Sequence, residues 1–129
     1  MEGVDLDFDQ RPCFTENFST NLGDIENFLG AEGAGYFEEL FNRLTDEIVP
    51  HVCRFPLSGR SFLERSIHTT QAERLAQRLR RRLKKGDDIR ELIVDDFLVL
   101  YLVRGERIVF LSIKHHRQLS YDLRTFWSE

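Results

Sequence analysis

Three apolar runs stand close together in the last third of the chain: Ile89–Val94, Phe97–Val103 and Arg107–Ile113, separated by Asp95-Asp96 and by Arg104-Gly105-Glu106. Their wealth of Ile, Leu, Val, Phe and Tyr predicts strands rather than helices. Links this short cannot hold a parallel crossover, so the strands are expected to form an antiparallel meander. Asp95-Asp96 reads as a turn, not a carboxylate dyad, because adjacent strand-end residues point to opposite sides. In the middle run Phe97, Val99, Tyr101 and Val103 share one face, and Leu98, Leu100 and Leu102 the other. A strand apolar on both sides must be covered on both sides.

The cover is expected from upstream helices. Pro12–Phe18 alternates weakly and predicts a first strand. Ser19 or Thr20 is placed to cap a helix with Leu22, Ile25 and Leu29 on one face and Phe28 beside them, stopped by Gly30. After a small turn, Ala31–Gly35, a second helix carries Phe37, Leu40, Phe41, Leu44 and Ile48 at helical spacing, with Glu38, Glu39, Asn42, Arg43 and Asp46 opposite. Pro50 must end or kink it. The two helices form a hairpin suited to one sheet face. Phe55-Pro-Leu-Ser-Gly-Arg60 reads as a turn. Thr70 to Glu73 resembles a capping box opening a third helix, 71–85, where Ala72, Leu75, Ala76, Leu79 and Leu83 make a narrow stripe among Arg74, Arg78, Arg80, Arg81, Arg82, Lys84 and Lys85 before Gly86. The expected fold is therefore α+β: a helical hairpin on a small antiparallel sheet, the three-stranded meander plus an N-terminal strand, with one inserted basic helix.

At 129 residues the chain suffices for one domain, 1–129, with its own core. It holds no run of apolar residues long enough to span a membrane and no signal-peptide pattern at its start, which points to the cytoplasm. Cys13 and Cys53 lie far apart and read as buried thiols. The net charge of −4 hides an asymmetry: residues 1–50 carry twelve carboxylates against Arg11 and Arg43, hence −10, leaving +6 for the remainder. The acidic residues begin in a tail, 1–11, that reads as an arm ordering only on a partner. The basic remainder points to a polyanionic or acidic partner there.

The order strand, helical hairpin, FPLSGR (Phe55–Arg60), IRELIVDDFLVLY (Ile89–Tyr101) and SIKHHR (Ser112–Arg117) resembles the RelE/ParE toxins of bacterial type II toxin–antitoxin pairs, across about Phe14 to Arg117. The resemblance implies an α+β domain, a cognate antitoxin partner, and either of two activities. A ParE-like toxin binds and poisons a target such as DNA gyrase. A RelE-like toxin cleaves mRNA on the ribosome. Residues 61–88 look like an insertion relative to that family, and Leu98 stands where its ribosome-dependent nucleases tend to carry a basic residue, which favours the binding kind.

Metal-free RNA cleavage needs a base, an acid and cations around the phosphate. His115, His116, Arg117 and Tyr121 are the candidates should the chain be a nuclease. The candidates for target or partner binding are Arg74, Arg78, Arg81, Arg82 and Lys85 of the basic helix, with Arg60, Arg90, Lys114 and Trp127. Arg60 and Arg90 also read as ion-pair or sheet-capping residues. Neither metal-type spacing nor a Gly-rich loop before a helix occurs, so no metal and no cofactor are expected. The Phe- and Leu-rich helices suggest a groove for an amphipathic or extended antitoxin segment.

Overall fold

The computed structural model describes residues 10–62, 77 and 80–115, and these form helices followed by a five-stranded sheet, an α+β fold. β1 (Arg11–Phe14) runs directly into α1 (Glu16–Leu29). The strand is shorter than its alternation suggested because Thr15, not Ser19 or Thr20, caps the helix. Its hydroxyl oxygen accepts the Phe18 N–H at 3.0 Å and lies 3.1 Å from the Leu111 carbonyl, to which the O–H donates. The cap therefore also fastens α1 to the sheet, a selection no local signal could make. Gly30, at φ +67°, closes α1 with its N–H on the Glu26 carbonyl.

α2 (Ala34–Arg43) meets the Pro50 problem by widening. Leu44–Ile48 is a turn of π-helix in which the Val49 N–H reaches back to the Leu44 carbonyl, and α3 (Val49–Arg54) continues from it. Proline lacks a donor and its ring crowds the carbonyl four residues back; a wider turn relieves both. A short 3-10 turn, Pro56–Ser58, leads to β2 (Arg60–Ser61), a two-residue strand that starts at the last residue of the segment expected to be a turn.

The meander forms as its pattern predicts: β3 (Asp88–Val94), β4 (Phe97–Arg104) and β5 (Arg107–His115), paired antiparallel. Asp95 and Gly105, each first in its two-residue turn, take positive φ, 55° and 58°. The sheet order is β1-β5-β4-β3-β2. It is not wholly antiparallel as expected, since β1 lies parallel to β5. Short links dictate antiparallel pairing only within the meander; β1 reaches β5 through the whole intervening chain, and its direction was left to packing.

β4 is the buried centre. Phe97, Val99 and Tyr101 pack with Phe18, Leu40, Leu44 and Val52 under the helices, while Leu100 and Leu102 pack with Ile89, Leu111, Phe62 and Leu83 on the second face. Phe62 and Leu83, near the two ends of the inserted segment, therefore both pack on that second face. The register shifts beside Leu100 and Tyr101, which pair with Ser112 and Phe110 and leave Leu111 as the extra residue. This bulge lets Phe110 and Ile113 both reach the helical side. The basic helix, 71–85, falls largely outside the described residues: 77 and 80–82 are helical, and helix ends at 82, before Lys85. There the Lys84 N–H donates to Asp87 Oδ2 at 2.7 Å, and Gly86 turns at φ +89°. Cys53 is buried, Cys13 half-buried, and they form no disulfide.

Candidate interaction groove and the Tyr101 clamp

Where β1 ends, β5 loses its backbone partner beyond Phe110. α1 supplies the replacement from polar side chains one turn apart. Asn17 Nδ2 donates to the Leu111 carbonyl at 2.9 Å, and buried Asn21 Oδ1 accepts the Ile113 N–H at 3.1 Å. Nothing in the hydrophobic pattern announced them; the only signal was a pair of asparagines at i and i+4 on the otherwise apolar side of α1.

Beyond Asn21, α1 and α2 separate from the sheet and leave a groove of about 820 Å³. Ile25, Phe28 and Leu29 line one wall, Tyr36 the mouth, and Phe97, Ile113 and His115 the sheet side, with Asp24, Asp96 and Lys114 at the edges. The Phe28 ring, which the sequence placed beside the apolar stripe of α1, is 88% exposed, because α1 ends over the groove and not over the sheet. Partial desolvation, then Asp96, Asp95 and Glu39, push the Tyr36 hydroxyl above its ordinary range. His115 meets Phe97 edge-on, ring centres 5.4 Å apart.

The other end of β4 is closed. Tyr101, fully buried, donates its O–H to the Pro56 carbonyl at 2.7 Å and accepts the Gly59 N–H at 2.9 Å. Arg90 Nη1 adds a bond to the Gly59 carbonyl at 2.7 Å, and its Nε one to Asp88 Oδ2 at 2.8 Å. A Cβ on Gly59 would stand 2.6 Å from the Glu91 carbonyl oxygen and 2.8 Å from the Tyr101 hydroxyl, so glycine is required there for space. Burial raises the Tyr101 hydroxyl pKa above its ordinary range. The Phe-Pro-x-x-Gly-Arg turn is thus locked from beneath by a tyrosine of the meander.

A family model described as the ParE toxin of the parDE type II toxin–antitoxin system matches residues 14–120. The chain belongs to the ParE toxin family. No curated protein matches it. This ParE-family chain distributes its candidate residues unevenly. Arg90 is occupied in the Tyr101 clamp, and Arg60 Nη2 pairs with buried Glu91 Oε2 at 3.1 Å while most of its side chain stays exposed. Arg81 and Arg82, the last helical residues of the insertion, and Lys85 beyond them are exposed. Lys114 and His115 come together at the groove. Arg74, Arg78, His116, Arg117, Tyr121 and Trp127 lie outside the described residues. Among the described residues, no helix is long and apolar enough to cross a membrane.

Proposed function

We propose that this ParE-family toxin inhibits growth from the cytoplasm by binding a cellular target, DNA gyrase, and that a cognate antitoxin neutralises it by laying an amphipathic segment in the groove between α1, α2 and the sheet. The observation that carries the choice of binding over RNA cleavage is the character of β4. Leu98 is 3% exposed and Leu100 and Leu102 are buried with it, so this face of β4 carries core leucines where a ribosome-dependent nuclease needs positive charge against phosphate. For the antitoxin, the groove supplies an exposed aromatic ring, Ile25 and Leu29 as apolar contacts, and both charge signs at the rim.

The test adds the purified protein separately to a gyrase supercoiling reaction and to a translation system followed by primer extension. Loss of supercoiling with intact message is the expected result. Codon-phased cuts that require ribosomes would replace this reading with an endoribonuclease using His115, His116, Arg117 and Tyr121.

A further inference from the structure

The outer surface of the clamped turn carries an apolar, basic corner that the fold leaves uncovered. Phe55 and Leu57 are 55% and 64% exposed. The His51 ring lies 5.2 Å from that of Phe55, and Arg54 and Arg60 stand in the same stretch with exposed side chains. Elsewhere in the meander end, Arg107 is exposed as well. Phe55 to Ser58 link the end of α3 to β2, the edge strand beside β3.

The chain enters the fold at this corner. The Gln10 N–H donates to the Cys53 carbonyl at 2.8 Å, one residue before Arg54, and the Gln10 side-chain oxygen is itself buried without a hydrogen-bond partner. The nine residues that precede Gln10 in the sequence are therefore tethered at the end of α3. Their sequence has the complementary chemistry: Val4, Leu6 and Phe8 alternate with Asp5, Asp7 and Asp9. Extended, such a hexapeptide puts three apolar side chains on one side and three carboxylates on the other, and reaches about 20 Å.

We propose that residues 4–9 of this chain dock intramolecularly over the Phe55–Leu57 corner, with Val4, Leu6 and Phe8 on the exposed rings and aliphatic groups, and the carboxylates at the rim with Arg54 and Arg60. The apolar row removes Phe55 and Leu57 from water, and the acidic row meets the positive rim, where salt weakens it. The arm then conceals the face of the Phe-Pro-x-x-Gly-Arg turn from other partners.

Amide hydrogen exchange on the full-length protein tests this. Residues 4–9 should exchange at least about tenfold more slowly than a free peptide of the same sequence. Two sets of changes should each abolish that protection: D5N/D7N/D9N in the arm, and F55S/L57S in the exposed corner, whose substitutions leave the buried core intact. Thermal unfolding of F55S/L57S at the wild-type temperature would establish that the corner variant remains folded. Free-peptide exchange in the wild type, or protection that survives F55S/L57S, would overturn the proposal. So would protection that grows with protein concentration together with a dimer in sedimentation, since the arm would then lie on a second copy.

Discussion

The two ends of the helical face of β4 are built from the same row of residues and come to opposite outcomes. At one end Tyr101 is sealed beneath a turn by hydrogen bonds to Pro56 and Gly59. At the other, Phe97 floors a groove whose wall ends in the almost fully exposed ring of Phe28. The sealed end carries satisfied polar atoms and no room; the open end carries apolar side chains and no cover. Rigidity therefore belongs to the first, and room for a ligand to the second. A groove anchored on a sheet so firmly closed elsewhere can bind a segment without first having to form.

The contrast breaks most sharply at Gly59. Gly59→Ala forces a Cβ against the Glu91 carbonyl and the Tyr101 hydroxyl, and should cost about 3 kcal/mol in a denaturant melt. A loss under about 1 kcal/mol would mean that the turn is looser than its hydrogen bonds imply.

A smaller effect is expected at the neighbouring strand ends, where the Asp87 carboxylate is buried and receives Arg104 Nη2 at 2.7 Å. The Arg104 hydrogen bonds, first among the causes, hold the Asp87 pKa below the ordinary carboxylate range against the opposing effect of burial. With the folded pKa depressed, the unfolded chain binds the proton more readily. The contribution is thus full above about pH 4 and lost as pH falls through the folded pKa. Asp87→Asn should destabilise by about 1 kcal/mol at neutral pH and flatten the decline of stability on acidification; an unchanged acid slope would count against this pairing.

The smallest effect on the fold is expected at the open end. Phe28→Ser should change stability by no more than about 0.5 kcal/mol, because the ring is already in water. Its consequence should fall on recognition, with antitoxin affinity reduced about tenfold or more in a titration. Undiminished affinity would move the antitoxin away from this groove.

The meander, its two turns, the double cover of β4 and the apolar faces of both helices follow from local pattern alone, since alternation and helical spacing are properties of neighbouring residues. The same reading placed the cap at Ser19 or Thr20, put Phe28 beside the apolar stripe of the first helix and made the sheet wholly antiparallel. Each departure has a distant partner as its cause: Leu111 selects Thr15 as the cap, the divergence of α1 from the sheet strands Phe28 in solvent, and packing on β5 sets the direction of β1. For the candidate site, the sequence supplied the resemblance to ParE toxins and the charge asymmetry between the two parts of the chain. It carried no sign that Asn17 and Asn21 would replace a strand partner; Arg90, read as an ion-pair or sheet-capping residue, does pair with Asp88, and only the fold adds its bond to the Gly59 carbonyl. Periodicity determines which side of an element is apolar; only tertiary structure decides whether that side is buried, because burial depends on where the next element ends.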